Sequence, residues 1–462
     1  MVQDTMSQEN VEIERHTHEH IHRLHNSNIW RLLVQYSVPA IIASTTASLY
    51  NIIDRVFIGQ GVGPMAIAGL ALTLPLMNMA AAFGALVGMG GGVLISIRLG
   101  EHKPAEAAEI LGNTLFLNLA FGIGYAIVCL ALLKPILLIT GASPETLPYA
   151  SQFMQIILLG NVFTHLYFGL NAATQASGYP RRAMANTLLT VAVNCVLAFV
   201  FIFIFHWGIR GAASATVLAQ TSGAVFAFPH FLHQKSTVRF YHKYLRPKLT
   251  IIRGIVSIGM PNFVMMLCAS MTAVLFNVRM YRYGGDYAIG AFGIVNTLGM
   301  FVAMVSMGVT QGMQPIAGYN FGARQFHRVK AVFRTAILGS TCGMTGGLLL
   351  AEILPHAVAT AFTRDPQLIA QTVKGMRLFA LMFPLNGLQM TTATFFQAIG
   401  KARIALLLAL SRQVLFLVPA LIILPLAWGL TGAWLAGPAA DFAAFVTTMI
   451  VLKVQYRRSF AT

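Results

Sequence analysis

The stretch 110–133, ILGNTLFLNLAFGIGYAIVCLALL, contains no charged side chain. An α-helix rises about 1.5 Å per residue, and about 20 apolar residues cross the hydrocarbon core of a bilayer. This stretch is therefore long enough to span a membrane as a helix. Four further uncharged stretches meet the same requirement: 32–53, 183–205, 254–278 and 378–400.

The composition of the whole chain agrees with this reading. Of its 462 residues 56% are hydrophobic and only 10% are Asp, Glu, Lys or Arg, whereas soluble domains carry about 25% charged residues. Such a chain cannot cover a surface that faces water, and its main partner is the lipid bilayer. A transmembrane β-barrel would show short segments of alternating hydrophobicity, which the continuous apolar stretches exclude. We therefore predict an all-α integral membrane protein.

Charge clusters and Gly/Pro turns divide the apolar sequence into twelve predicted transmembrane helices. Two uncharged runs, 56–97 and 287–323, are longer than one crossing needs, so helix ends there are the least well defined. The predicted limits are 31–58, 65–97, 109–134, 147–177, 182–206, 209–232, 251–282, 287–320, 328–354, 368–399, 402–426 and 428–453.

The distribution of basic residues predicts the orientation. The chain has 31 Lys and Arg against 14 Asp and Glu, a formal charge of +17. If the N-terminus is cytoplasmic, 22 of the basic residues fall in inside segments and 6 in outside segments. Basic residues accumulate in cytoplasmic loops, so this count supports twelve helices with both termini in the cytoplasm. It also explains the positive charge without a nucleic-acid partner.

The two halves of the chain repeat at a numbering offset of 222. Six helices per half give both halves the same orientation, and such pseudo-symmetric bundles are typical of alternating-access transporters. From Trp207 onward the offset becomes 221, which pairs Trp207 with Trp428. The other landmark pairs are Pro39 with Pro261, Ala66 with Ala288, Gly90 with Gly312, Gly100 with Gly322, Pro144 with Pro366, Gln175 with Gln397 and Gly178 with Gly400.

The repeat predicts two lobes of six helices each. The N-lobe is expected at 31–232 and the C-lobe at 251–455, with a basic cytoplasmic linker at 233–250 between them. A polar cytoplasmic tail at 1–30 precedes the N-lobe and contains His16, His18, His20, His22 and His25; a second short tail follows at 456–462.

Several motifs resemble the multidrug and toxic compound extrusion (MATE) family. They are SLYNIIDRVFIGQGVGPMAIAGLAL at 48–72, GYP at 178–180, GIRGAASAT at 208–216, QPIAGYNFGAR at 314–324 and SRQVLFLVPALIILP at 411–425. An acid in the first helix, and none in the seventh and tenth, is similar to the DinF-like branch. The resemblance covers about 31–455 and implies twelve helices in two lobes, with no catalytic residue, no metal and no cofactor beyond a coupling ion.

Most acidic residues lie in the N-terminal tail or flank loops, which leaves Asp54 and Asp441 within predicted transmembrane helices. An ionisable group there costs at least about 2.5 kcal/mol and usually faces a cavity with a functional role. Asp54 shares a helix face with Tyr50, one turn earlier, and the depths of Asn194 and Thr216 place them in the same outer half of the N-lobe. The alternative is an interfacial ion pair between Asp54 and Arg55.

The resemblance implies a cation-coupling network made of Asp54, Asn194 and Thr216, with Tyr50 and Asn171 as hydrogen-bonding neighbours. Ordinary interhelical hydrogen bonding is the alternative for the uncharged members. DinF-like members carry a second acid in the fifth helix, where this chain has Ala198. Because sodium needs several hard oxygen ligands while one carboxylate can carry a proton, we favour H⁺ over Na⁺ as the coupling ion.

Arg412 and Asp441 lie at similar predicted depths in the last two helices. Each charge alone is expensive in lipid, so the simplest interpretation is a buried structural ion pair. A direct role of the pair in the transport cycle is the alternative.

The leading functional hypothesis is a monomeric exporter of small, amphipathic organic compounds in the inner (plasma) membrane, driven by cation antiport. A flippase for a lipid-linked saccharide is a second possibility within the same superfamily. A membrane-embedded enzyme is a third, disfavoured because His165, His206 and His356 are scattered and no nucleophile or metal motif accompanies them.

Overall fold

The computed structural model of the protein describes residues 27–233 and 236–460, and over these ranges the regular structure is helical. The histidines of the N-terminal tail lie outside the described residues. The helices of the first half are α1 Ile29–Gly61, α2 Pro64–Gly100, α3 Pro104–Ala131, α4 Leu147–Ala176, α5 Pro180–Ile204 and α6 Gly208–Leu232. Short helices occupy Leu133–Ile139 and His242–Leu245.

In the second half, two pairs of helices follow one another without a loop, and in each pair one glycine with non-helical backbone separates the two helices. Leu249–Gly322 is broken at Gly285, which separates α7 from α8. The helix α9 covers Phe326–Ile353, and α10 consists of Pro366–Ala380 and Phe383–Ala398, bent by 48°. The last helical stretch consists of the consecutive segments Ala402–Leu410, Ser411–Leu417 and Val418–Phe460. The non-helical backbone of Gly429 separates α11 from α12 within it. A short helix at Pro355–Phe362 follows α9.

These bounds confirm the predicted twelve-helix, all-α membrane fold for the described part of the chain. Most observed ends lie close to the predicted ones. The exceptions are the start of α3 at Pro104, predicted at 109, and the end of α12 at Phe460, predicted at 453. In both cases the prediction ends the helix at neighbouring charged residues, whereas Glu106, for example, lies in the first turn of α3.

Local sequence explains where several helices begin. Proline is the first residue of α2, α3, α5 and α10, where its missing N–H is not needed and its fixed φ suits the helix. At α10 the Asp365 carboxylate also accepts hydrogen bonds from the backbone N–H groups of Gln367 at 2.8 Å and Leu368 at 3.0 Å. This is the preferred N-cap arrangement.

The backbone carries the internal repeat as well. Most residues with positive φ occur in pairs at the offset of the sequence landmarks, the exceptions being Gly141 and His206. The pairs are Gly63 with Gly285, His102 with Arg324 and Gly178 with Gly400, and, at the shorter offset, Gly208 with Gly429. Positive φ is unusual for residues other than glycine, so the His102 and Arg324 pair is the most informative. The two halves therefore share turn conformations as well as sequence landmarks.

The described helices form two compact units. Unit 1 contains Ile42–Phe263 and Gly318–Arg324, and unit 2 contains Ile29–Ile41, Val264–Ala317 and the chain from Gln325 onward. The division falls inside α1, α7 and α8, so each of these helices contributes residues to both units. The limits that the sequence predicts for the two lobes, the linker and the tails stay a prediction.

In unit 1, α2 packs closely on α4 through small residues. A β-carbon at Gly88 would lie 3.3 Å from the carbonyl oxygen of Phe168, and one at Gly92 would lie 3.5 Å from that of Ala172. Glycines spaced by four residues let helix backbones approach in this way. The apolar core of the same unit includes Ile58, Phe153 and Ile202.

The end of the linker docks onto α3. Asn113 accepts a hydrogen bond from the backbone N–H of Lys248 at 2.8 Å, and Glu109 forms an ion pair with the Lys248 ammonium group. A β-carbon at Gly112 would lie 2.3 Å from the carbonyl oxygen of Tyr244. Only glycine therefore allows this approach, and α3 holds the chain immediately before α7 begins at Leu249.

Unit 2 has an aromatic core. The rings of Phe276 and Phe292 stack with centroids 4.8 Å apart, and the centroid of the buried Trp434 ring lies 6.2 Å from that of Phe292. Stacked or tilted ring pairs at these distances contribute beyond the burial of their area. Helices α7, α8 and α12 are joined by these contacts.

Candidate coupling site

Three of the predicted site residues meet in unit 1. The Asn194 amide donates to the Thr216 hydroxyl at 3.2 Å and approaches the Tyr50 hydroxyl at 3.5 Å. The hydroxyls of Tyr50 and Thr216 lie 3.4 Å apart. The cluster joins α1, α5 and α6, and its amide and two hydroxyls can each donate or accept hydrogen bonds.

Asp54 lies one turn after Tyr50 on the same face of α1. It is 9% exposed, and its Oδ1 atom has no hydrogen-bond partner in the part of the chain that the structure describes. Arg55, the next residue, is exposed and forms no ion pair with Asp54 among the described residues. A buried carboxylate without a partner is costly, and such groups are found where protonation or ligand binding removes the cost.

Asn171 takes part in a different cluster. Its amide donates to the Thr187 hydroxyl at 3.3 Å and its carbonyl oxygen accepts from the Asn186 amide at 3.2 Å. Tyr167 also donates to Thr187, at 3.2 Å. The sequence did not indicate Asn186, Thr187 or Tyr167 as partners; spacing places Tyr167 on the same face of α4 as Asn171, but does not show that this face meets α5.

Ala198 lies one turn after Asn194 on α5. It is 1% exposed and packs in the apolar core with Ile202 and Ala212. From Val200 to Ile204 the helix changes to π-helical form, a local form that is frequent at functional sites. One turn from the polar cluster, the chain therefore has the methyl group of Ala198 where the family resemblance implies a carboxylate.

The structure brings Arg412 and Asp441 together in unit 2. Arg412 donates through Nε to Asp441 Oδ1 at 2.6 Å. Asn386 donates its amide to Oδ1 at 3.4 Å and to Oδ2 at 3.5 Å. The Asp441 side chain is 4% exposed and that of Arg412 24% exposed, so the carboxylate is the more deeply buried member of the pair.

No group of three or more His, Cys, Asp or Glu side chains is arranged to hold a metal ion within the described ranges. The structure joins Tyr50, Asn194 and Thr216 and places the Asp54 carboxylate one turn along α1, with no hydrogen bond to these three in the described chain. The arrangement can bind and release a proton at Asp54.

The MatE family model matches the chain twice, over residues 39–200 and 261–422. The two matches are displaced by the offset of the internal repeat and together cover more than half of the chain. The chain belongs to the MATE family.

Other MATE proteins match nearly the whole length. The multidrug export protein MepA of Staphylococcus haemolyticus is 28% identical over 440 residues, 95% of this chain and 97% of the relative. MepA of Staphylococcus aureus strain MSSA476 is 26% identical with the same coverage. These relatives are membrane transporters, so the chain is a multi-pass membrane transporter and the membrane-embedded enzyme is excluded.

Solved MATE structures share the fold. The MATE multidrug transporter DinF-BH, solved with a bound ligand, is 35% identical with a TM-score of 0.86, and the match covers 94% of this chain and 97% of that one. An outward-facing multidrug resistance MATE transporter has a TM-score of 0.88 at 22% identity, over 94% of this chain and 97% of that one. The likeness to DinF-BH agrees with the DinF-like features of the sequence.

Proposed function

We propose that this MATE transporter exports small, amphipathic organic compounds in exchange for protons, with Asp54 as the site where the proton binds. The observation that carries the proposal is the buried Asp54 carboxylate, whose Oδ1 lacks a partner in the described chain. The MepA relatives, named for multidrug export, support the substrate class.

The environment of Asp54 favours a proton over sodium. An unpaired carboxylate in an apolar interior is destabilised in its charged form, and binding a proton removes the charge. Sodium instead requires several oxygen ligands at once, and Ala198 contributes none where a second carboxylate would be expected from the family resemblance. The Tyr50, Asn194 and Thr216 side chains bond to one another here; in this proposal they donate hydrogen bonds to Asp54 only when its carboxylate is charged.

The transport cycle that we propose is alternating access. Two pseudo-symmetric halves, related by the repeat, would open in turn to the cytoplasm and to the outside. Substrate would enter from the cytoplasm, and a proton arriving at Asp54 from outside would favour substrate release. The proposal includes a single chain as the working unit, placed in the inner (plasma) membrane with both termini in the cytoplasm.

Transport by purified protein in lipid vesicles tests the proposal. Export of a fluorescent cationic dye is measured with an imposed pH gradient, with an imposed sodium gradient, and with neither. Asp54→Asn keeps the shape and removes the titrating group, so the pH-driven rate should fall at least tenfold while dye binding persists. Asp286→Asn is the matched control, because the same substitution at this exposed residue should leave the rate unchanged.

Normal pH-driven export by Asp54→Asn would show that Asp54 is not the proton site. If a sodium gradient drives export by the wild type and a pH gradient does not, sodium and not the proton is the coupling ion. Export that needs neither gradient would reject coupling altogether.

A further inference from the structure

The Arg412 guanidinium uses a single nitrogen in its ion pair. Its bond to Asp441 is made through Nε, and in the described part of the chain the terminal nitrogens Nη1 and Nη2 make no hydrogen bond. Arginine carries five N–H donors in a planar fork that matches a carboxylate or phosphate. The outer edge of this fork is therefore available for a further acceptor.

The two charged side chains also differ in their exposure. The Asp441 side chain is 4% exposed and has Asn386 against both oxygens, whereas that of Arg412 is 24% exposed. Charged groups at membrane depth face the bundle interior or a water-filled space, because lipid exposure is too costly. The guanidinium is therefore the more accessible of the two charged groups.

The internal repeat shows that the fold does not need charges at this place. The residues of unit 1 that correspond to Asn386, Arg412 and Asp441 are Thr164, Thr190 and Gln220, at offsets of 222, 222 and 221. Thr164 donates a hydrogen bond to Gln220, which is the neutral counterpart of the Asn386–Asp441 contact. Thr190, the counterpart of Arg412, bonds to the backbone of its own helix, so none of the three positions is charged in unit 1.

A neutral contact is also the cheaper solution. Replacing a buried ion pair with neutral groups is often without effect on stability or stabilising, so stability alone does not account for Arg412 and Asp441. In addition, Arg412 lies in the π-helical segment Ser411–Leu417, and such segments are frequent at functional sites.

We propose that Arg412 binds an anionic group, specifically a carboxylate, on the transported organic compound. Asp441, whose oxygens accept from Asn386, holds the guanidinium through Nε, and Nη1 and Nη2 bind the two oxygens of the substrate carboxylate in the bidentate geometry that arginine favours. The substrates would then include zwitterions, which carry a carboxylate besides a cationic or apolar part. The inference rests on the proposed export of organic compounds, but not on proton coupling.

Two dyes that differ in one group provide the test. Rhodamine 6G is an ethyl ester, and rhodamine 19 is its free acid with the same cationic ring system. Equilibrium binding of each dye to detergent-solubilised protein is measured by fluorescence polarisation, without any gradient. The wild type should bind the acid at least as tightly as the ester.

The double variant Arg412→Gln with Asp441→Asn removes both charges, so that these positions are neutral as their counterparts are in unit 1. It should weaken binding of the acid at least tenfold, which is about 1.4 kcal/mol, and binding of the ester less than twofold. Arg412→Lys is the second variant. It keeps the ion pair but loses the fork, so the ratio of acid to ester affinity should fall at least threefold even if the double variant does not fold.

Equal weakening of both dyes, an unchanged ratio in Arg412→Lys, or a wild type that does not bind the acid would each overturn the assignment. Asp54→Asn separates this proposal from the preceding one. That variant should lose pH-driven export and keep the wild-type ratio of acid to ester affinity.

Discussion

Each unit, in the part of the chain that the structure describes, has one aspartate buried within a transmembrane helix. The two carboxylates differ in their hydrogen-bond and ion-pair partners. Asp441 of unit 2 has a guanidinium 2.6 Å away and an amide against both oxygens. Asp54 of unit 1 has an oxygen without any partner among the described residues. A cation beside a carboxylate favours its charged form, whereas a buried carboxylate without a hydrogen-bond partner gains from binding a proton. The contrast separates a paired carboxylate from an unpaired one.

The repeat makes the contrast sharper. The positions of unit 2 that correspond to Tyr50, Asp54, Asn194 and Thr216 are Thr272, Phe276, Phe416 and Gly437, at offsets of 222 and, for the last, 221. Phe276 belongs to the aromatic core, stacked on Phe292. Unit 2 therefore has ring packing where unit 1 has the polar cluster, so a titratable carboxylate at this position occurs in one half of the protein and not in the other.

The largest expected effect is the loss of stability when the pair in unit 2 is broken. Arg412→Gln or Asp441→Asn leaves a charge without its partner in a low-dielectric interior, which costs about 3–5 kcal/mol. The midpoint of thermal unfolding in detergent should fall accordingly. Asp54→Asn removes a carboxylate that has no ion-pair partner in the described chain and should not lower the midpoint.

The double neutral variant of the pair should recover much of that loss. Purely additive losses in this double-mutant cycle would show that the two residues do not interact. A loss in Asp54→Asn as large as in Asp441→Asn would remove the distinction between the two carboxylates.

Adding a second carboxylate to unit 1 should have an intermediate effect. Ala198→Asp places an acid one turn after Asn194 in a position that is 1% exposed, at a cost of about 1–3 kcal/mol for burying a polar group. Two carboxylates sharing a site raise one another's proton affinity and supply a further hard ligand. Transport in vesicles should therefore gain sodium sensitivity or have a higher pH optimum.

The control for this variant is Ala212→Asp, which introduces the same acid on α6 within the same apolar core. Dependence on pH and sodium identical to the wild type in Ala198→Asp would show that Ala198 does not face the coupling site.

The smallest effect is expected from the uncharged members of the cluster. Tyr50→Phe and Thr216→Val each remove one hydroxyl and about 1 kcal/mol of hydrogen bonding. Because the charged form of Asp54 then loses a donor, half-maximal pH-driven export should need a less acidic outside pH, by a few tenths of a unit. Thr221→Val, which removes a hydroxyl bonded only to its own helix in the described chain, should leave the pH profile unchanged.

Much of the fold follows from the sequence because the bilayer restricts the choices. Uncharged stretches of fixed length, basic loops and a repeat at one offset predict twelve helices, and the helices are found. The bend in α10 and the short helix Pro355–Phe362 were not predicted, since a continuous apolar run gives no sign of a bend.

The candidate site was less accessible to sequence reasoning. Asp54, Arg412 and Asp441 stand out because a charge in lipid is rare, so they could be named without a structure. The partners of Asn171 could not, because helices that are apolar on every side do not reveal which face meets a neighbour. Residue spacing predicted which side chains share a helix face, but not which helices those faces meet.

The docking of the linker on α3 has a consequence for engineering the chain. The last residues of the linker are held against α3 by Asn113 and by the close approach of Tyr244 to Gly112. This bracket, residues 244–248, fixes the position at which the next helix begins. Sequence inserted ahead of this bracket, for a fluorescent reporter or a protease site, leaves the entry of α7 where it is. The same insertion placed after Lys248 would displace the helix itself.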